Sequence, residues 1–239
     1  MKLTSKSFAD NGRIPVEFAF CAPDPRTHVT LSKNRNPELS WSELPAGTKS
    51  LALICHDPDV PSKPDDVNQE GRTISAKLPR VDFYHWVLVD LDPKSGAIKA
   101  GEFSDGITAR GKKGPDGPRS VRQGVNDYTM WFAQDKDMSG NYFGYDGPCP
   151  PWNDEVLHHY VFTLYALDVA RCGVSGAFKG ADVLAAVRGR VLAQAALIGV
   201  YALNPTVKLA TKMLSLSGAN NVRLIVIGLK LLILTYLII

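Results

Sequence analysis

The chain has little cysteine: four in 239 residues, Cys21, Cys55, Cys149 and Cys172, with no paired spacing. That argues against a zinc frame or a disulfide framework, so the four read as reduced, packing-type thiols of a cytosolic protein. The opening Met-Lys-Leu-Thr-Ser-Lys-Ser-Phe lacks an apolar stretch of signal-peptide length, and nothing in it suggests export. Charge of one sign is also scarce. A formal net charge of +3 does not supply the clustered basic face of a nucleic-acid binder. There is no Gly-x-Ser-x-Gly elbow and no cysteine in a recognisable Cys–His frame, so no evident nucleophile presents itself. The basic, Gly-rich stretch Gly111–Arg122 is no Walker motif, because no Gly-Lys-Ser/Thr opens a helix there; it reads as a solvated surface loop. Internal repeats are absent.

What is present is enough apolar residue, 45% of the chain, to fill a full core. From residue 14 to about 100, short apolar runs are bounded by Pro, Gly, Asn and Asp, the punctuation of an all-β protein. Leu39–Trp41 follows Asn36-Pro37. Leu51–Cys55 is apolar on both faces, as a central strand would be. After a polar loop at 62–80, Phe83–Leu91 reads as a second buried strand, and Tyr160–Leu167 as another. Residues 101–150 are rich in glycine and form a long irregular excursion. A helical period spans Ala181 to Ile198, with Leu184, Val187, Val191, Leu192, Ala195 and Ile198 on one face, before Gly199-Val200-Tyr201 returns to extended chain.

The tail from Thr206 is foreign in character. Val222–Ile239 is apolar over nearly the ~20 residues that cross a bilayer as a helix. Lys230 in its middle would cost about 2.5–3.5 kcal/mol on insertion. A helix docked on the domain, or sequence foreign to it, is therefore favoured over a membrane anchor. The expected division is a domain at 1–205 and a tail at 206–239.

Chemistry-bearing residues cluster where strands meet proline-stiffened turns. In Asp57-Pro58-Asp59-Val60-Pro61 each proline fixes φ and disfavours helix before it, so the strand is expected to end in a rigid turn holding Asp57 and Asp59 at a sheet edge. Strand alternation puts His85 with Val87 and Val89, opposite Tyr84, Trp86 and Leu88. The same alternation puts His158, Tyr160, Phe162 and Leu164 on one face and His159, Val161, Thr163 and Tyr165 on the other. His158 and Tyr160 can therefore act together. Upstream, Pro148, Pro150 and Pro151 stiffen the approach and leave the amides of Gly147 and Cys149 among those that could face an anion. Histidines with a carboxylate to orient or charge-balance an imidazole suit a phosphate monoester or carboxylate ligand and make its binding pH-dependent.

These segments carry a resemblance. Asn34…Pro37-Glu38-Leu39-Ser40-Trp41, Pro45-Ala46-Gly47-Thr48-Lys49-Ser50-Leu51, the Asp57–Pro61 segment, His85-Trp86-Val87, Gly147-Pro148-Cys149-Pro150-Pro151 and His158-His159-Tyr160 stand in order. In these the chain resembles the phosphatidylethanolamine-binding protein family, in its bacterial and archaeal Raf kinase inhibitor-like branch, from about Leu3 to Tyr201. The resemblance implies a mostly β, sandwich-like domain with a large central antiparallel sheet, a smaller sheet and peripheral helices, one of them near the C-terminus. It implies a small anion pocket at one end of the sheet, using Asp57, Asp59, His85, His158 and Tyr160, with Gly147, Pro148, Cys149 and Pro151 as a wall. The family pattern has His-Arg-Tyr where this chain has His158-His159-Tyr160, and many relatives carry a short Gly-containing link in place of Trp152–Glu155.

The leading expectation is a non-catalytic, cytoplasmic binding module for a small anionic or phosphorylated ligand. It would modulate a protein partner such as a kinase or hydrolase, with no cofactor and no nucleic acid. Two alternatives stand beside it. One is a metal-dependent or acid–base phosphoester hydrolase using Asp57, His85 and His158. The other is a regulator tethered to a membrane by its tail.

Overall fold

In the computed structural model, which describes residues 1–208, the two apolar runs Leu51–Cys55 and Phe83–Leu91 lie within twelve-residue neighbouring strands, β6 (Ser50–Pro61) and β7 (Arg80–Leu91). The chain reaches them through β1 (Lys2–Thr4), β2 (Gly12–Arg13), β3 (Cys21–Asp24), β4 (His28–Leu31) and β5 (Leu39–Ser42). It continues through β8 (Ala97–Ile98), β9 (Arg122–Gln123), the single helical turn α1 (Tyr128–Trp131), β10 (His158–Leu167), α2 (Gly180–Ala186) and β11 (Val191–Tyr201). The large sheet runs β2-β11-β10-β6-β7-β9, antiparallel except where β2 joins β11 in parallel, which makes it a mixed sheet. A three-stranded sheet, β1-β5-β8, and the hairpin β3-β4 complete the strands.

Side-chain alternation divides the interior into two clusters, one on each face of the large sheet. Leu51, Leu53 and Cys55 of β6 pack with Leu3, Leu39, Trp41 and Ile98 of the small sheet and with Phe162 and Leu164 of β10. Ala52 and Ile54 point the other way, against Val183 and Val187 at α2 and against Phe178. A strand covered on both faces must be apolar throughout, which is why Leu51–Cys55 shows no alternation.

The helix expected over Ala181 to Ile198 is short. It ends at Ala186, Gly189 turns the chain at φ +74°, and Val191–Tyr201 is a strand paired along its length with β10. A left-handed residue just past a helix is a stop that glycine takes without steric cost. The run after it, apolar at all but Gln194, satisfies a period of 3.6 and a period of 2 alike, and pairing with β10 decides between them.

Residues 101–150 are irregular, as expected, yet firmly held. Asp146 is buried and accepts hydrogen bonds from Asn34 Nδ2 and Asn126 Nδ2, both at 2.7 Å, and an ion pair from Lys112 Nζ at 3.0 Å. Burial lowers the Lys112 pKa against the pull of Asp146. The apolar tail lies beyond residue 208, so all three readings of it fall outside the described residues. No helix among the described residues is long and apolar enough to cross a membrane.

The cysteines correct the reduced-thiol reading. Cys21 of β3 and Cys149 form a disulfide, 128 residues apart in sequence, while Cys55 and Cys172 are free and buried. Such a separation leaves no local spacing to read; only the fold brings the two Cα atoms to 4.9 Å. Closing so long a loop restricts the unfolded chain, so Cys149→Ser is expected to cost about 2–5 kcal/mol. Urea unfolding of the two proteins, with and without reductant, checks this: reductant should move the wild type toward the variant and leave the variant in place.

Candidate functional site

The site begins with irregularities in the β6–β7 pair. Cys55 faces Trp86 and His56 faces Tyr84, which leaves His85 as an extra residue in β7, a β-bulge. The bulge overturns the strict alternation expected for this strand. Trp86 and Leu88 share a face with Phe83 and His85, while Tyr84, Val87 and Val89 take the other. His85 is thereby directed among aromatic rings, with ring centroids 5.0 Å from both Phe83 and Tyr160 and 5.7 Å from Tyr128.

A second irregularity lies between Asp57 and Val60. β6 does not end in a turn at its prolines but runs on to Pro61, with Pro58 accommodated where the ladder is already broken. There Asp57 Oδ1 accepts the amide of Asp59 at 2.8 Å, fixing its carboxylate. The opposite wall comes from β10, where His158 and Tyr160 share the face with Phe162 and Leu164, and Tyr165 lies on the other.

These elements enclose a cavity of about 200 Å³. It is lined by the polar side chains of Asp57, His85 and His158, by the aromatic rings of Phe83, Tyr128, Trp131 and Tyr160, by Cys149, Pro150 and Pro151, and by Val60, Pro61, Pro64, Val67 and Asn68. Of the residues anticipated from sequence, Asp57, His85, Cys149, Pro151, His158 and Tyr160 converge. Asp59, Gly147 and Pro148 do not line it. The Asp59 carboxylate accepts from the ring Nδ1 and the amide of His159, at 2.8 and 2.9 Å. Gly147 donates its amide to Asn34 Oδ1 at 2.8 Å and accepts from the Tyr128 hydroxyl at 2.8 Å. A Cβ on Gly147 would sit 2.2 Å from the Phe18 carbonyl, so only glycine fits. The Pro148 carbonyl accepts the amides of Phe20 and Cys21. These residues hold the wall in place from behind.

His158 is the most constrained group. Nδ1 bonds Asp57 Oδ2 at 2.7 Å and Nε2 bonds Asp154 Oδ2 at 3.2 Å, with all three side chains buried. Both ring nitrogens face carboxylates, which only accept, so the ring is an imidazolium donating twice. Burial opposes the charge, but the two carboxylates outweigh it and raise the pKa to about 9. Asp154 also takes both terminal nitrogens of Arg80, at 2.5 and 3.0 Å. Burial pushes the Asp154 pKa up, but the hydrogen bonds from His158 and Arg80 prevail and hold it low.

His85 is the converse case. Its Nδ1 lies 2.8 Å from the Asp146 carbonyl, so Nδ1 carries the proton and Nε2, without a hydrogen-bond partner among the described residues, keeps a lone pair. Burial dominates and lowers its pKa, despite the pull of Asp57. The Tyr160 hydroxyl is buried and makes no hydrogen bond of good geometry, its nearest polar neighbour being the Asp57 carboxylate; burial first, and Asp57 after it, raise its pKa well above the ordinary value. Tyr128 and Trp131, in the irregular region, carried no signal in the sequence. Asp154 had one, standing four residues before His158 in the segment that departs from the family pattern. No group of three His, Cys, Asp or Glu among the described residues is placed to hold a metal ion.

The His158 pKa carries a stability consequence. A folded pKa of about 9, against 6.5 for the free side chain, makes the folded state hold a proton that the unfolded chain releases between those values. The stabilisation is full below about pH 6.5 and is lost as pH rises through 9, by roughly 3 kcal/mol in total. Urea unfolding of wild type and His158→Gln at pH 6 and pH 9.5 should show the gap between the two proteins shrinking at the higher pH.

Known proteins share this framework. Residues 4–202 match the family model described as phosphatidylethanolamine-binding protein. A "UPF0098 protein" from Methanothermobacter thermautotrophicus is 37% identical over 201 residues, 84% of this chain and 98% of that protein. A "putative lipoprotein LppC" from Mycobacterium tuberculosis is 31% identical over 201 residues, 84% of this chain and 72% of that one. The crystal structure of Escherichia coli YbcL, titled a new member of the mammalian PEBP family, aligns over 84% of this chain and 97% of its own with a TM-score of 0.60 at 24% identity, a likeness of fold. With the family model spanning nearly all of the described residues, from β1 to the end of β11, the chain belongs to the phosphatidylethanolamine-binding protein family.

Proposed function

We propose that this protein is a non-catalytic binding module whose cavity takes a small anionic group of the phosphate-monoester type, and that ligand occupancy sets its engagement of a protein partner such as a kinase or hydrolase. The observation that carries the reading is a pair of polar atoms without a well-formed hydrogen bond on residues that line an aromatic cavity, His85 Nε2 and the Tyr160 hydroxyl. A buried hydroxyl left without a partner costs about 1–3 kcal/mol, which a ligand oxygen would recover. The aromatic and proline lining excludes bulk water and strengthens any hydrogen bond formed there.

The same geometry disfavours the hydrolase alternative. His158 has both nitrogens committed to carboxylates, leaving neither a lone pair for a metal nor a proton free for transfer. Cys149 is consumed in the disulfide, and Cys55 is buried with a thiol pKa raised well above the ordinary value by burial. The cytoplasmic expectation rested on reduced thiols and on an opening without a signal-like apolar stretch, and the first of these supports is gone. With Cys21 joined to Cys149 we place the protein instead where disulfides persist, in an oxidising compartment or in the cytosol of an extreme thermophile.

An anion beside neutral His85 favours its protonated form, so binding is expected to take up a proton and to tighten as pH falls from 8 toward 6. Isothermal titration calorimetry of phosphoethanolamine in buffers of different ionisation enthalpy reads that proton directly. Tyr160→Phe should weaken binding about ten-fold, and His85→Ala should abolish the proton uptake. Pocket binding with no proton uptake would remove His85 from its assigned role.

A further inference from the structure

Between β6 and β7 the chain makes a long irregular loop, residues 62–79, with no helix or strand of its own. A connection of this length inside a compact domain is commonly either disordered or functional. This one is held, and one side chain is central to the holding. Asn153 is buried, with 6% of its surface exposed. Its Nδ2 donates to the carbonyls of Asp66 at 2.8 Å and Arg72 at 3.1 Å, with a longer contact to that of Gln69 at 3.4 Å. Its Oδ1 accepts the amide of Asn68 at 3.0 Å, and its backbone carbonyl accepts the amide of Ile74 at 3.1 Å. Asn68 returns the contact, its Oδ1 accepting the amide of Trp152 at 3.0 Å. A carboxamide donates and accepts at once, so it satisfies loop backbone groups of both kinds.

The loop so fastened carries Pro64, Val67 and Asn68 to the cavity. The lining sorts by exposure. Its polar groups on Asp57, His85, His158 and Tyr160 belong to residues at most 3% exposed, whereas Pro64, Asn68 and Trp131 are exposed and Val60 and Val67 half-buried. That more exposed set carries no charge, and Asn68 Oδ1 is already engaged by Trp152. We propose that the 62–79 loop, positioned by Asn153, selects the ligand by its substituent: the site prefers a phosphate-type anion bearing a compact apolar group over the bare anion or one bearing an ammonium. This rests on the anion reading above. An apolar group set against Pro64, Val67 and Trp131 removes their surface from water. An ammonium brought there would shed hydration and find no free carboxylate, since Asp57 is engaged by His158. Asn153 does not itself line the cavity, so it is a positioning residue that acts through the loop. It stands in Trp152–Glu155, where the chain departs from the family pattern, so this selectivity belongs to chains that share the segment.

Calorimetric titration of the full-length chain with phenyl phosphate, inorganic phosphate and phosphoethanolamine tests this, together with amide hydrogen exchange. In the wild type, phenyl phosphate is expected to bind about ten-fold more tightly than either of the others. Asn153→Ala should shrink that ratio to about two-fold and release the Asn68 amide to exchange. The ratio is the deciding quantity, because a general loss of folded protein weakens all three ligands alike. Val67→Ser leaves the Asn153 contacts in place, so it should shrink the ratio while the Asn68 amide stays protected; it decides the matter if Asn153→Ala does not fold. Equal binding of the three ligands by the wild type, a preference kept in either variant, or an Asn68 amide still protected in Asn153→Ala overturns this proposal and leaves the anion reading standing. Binding of none of the three overturns the anion reading and this one with it.

Discussion

The alternating charges of Asp57, His158, Asp154 and Arg80 tie together everything that shapes the cavity. Each is on a different part of the chain: Asp57 on β6, His158 on β10, Asp154 on the approach to β10, and Arg80 at the start of β7. Every charge has a neighbour of opposite sign at hydrogen-bond distance, so the row as a whole is neutral. That matters because it is buried. An ion pair in the interior offers little net stability compared with an apolar core, but removing one partner leaves an uncompensated charge and costs about 3–5 kcal/mol. The row therefore acts as a registration device, admitting only the arrangement of β6, β7 and β10 in which all of its members are paired.

A second polar cluster positions the rest. Asp146, buried under Asn34, Asn126 and Lys112, offers its carbonyl to His85 and thereby selects the tautomer with a bare Nε2. The bulge in β7 makes that contact possible by turning His85 toward Tyr128 and Tyr160. From the third side the disulfide anchors the proline wall to β3, a covalent tie at a place where Pro148, Pro150 and Pro151 have no backbone donors of their own. Two hydrogen-bonded clusters and one covalent bond thus meet around a cavity whose lining is mostly ring.

How much of this was legible in the chain differs by kind of signal. Runs covered on both faces, such as Leu51–Cys55, announce themselves because burial leaves no polar position. His158 and Tyr160 fall together because alternation holds through an unbroken part of β10. Alternation failed at His85, where one inserted residue reverses the side chains from Trp86 to Val89, and no local composition marks a bulge. Val191–Tyr201 misled in the other direction, since a segment apolar at all but Gln194 fits both periods and only its partner strand decides. The Cys21–Cys149 bond and the contributions of Tyr128 and Trp131 depend on contacts across a hundred residues or through irregular chain, where periodicity has nothing to say. Asp59 and Gly147 were sensible candidates by residue type, yet their polar groups are spent on His159, Asn34 and Tyr128.

The electrostatic character of the cavity follows from the same accounting. Histidines near a carboxylate suggest a cationic anion trap, but the His158 imidazolium is already neutralised by Asp57 and Asp154, with no donor left over. What remains to meet a ligand is a neutral imidazole and a phenol, set in an aromatic cup with no net charge. Such a site gains nothing from long-range attraction and everything from short, well-aimed hydrogen bonds in a dry setting. Under the proposed function it would discriminate by shape and protonation state, since a dianion would have to share a proton with His85 or force one onto it, whereas a monoanion that carries its own hydrogen could donate to Nε2 directly. If the proposed ligand class is right, its protonation state, as much as its identity, would decide when the cavity fills.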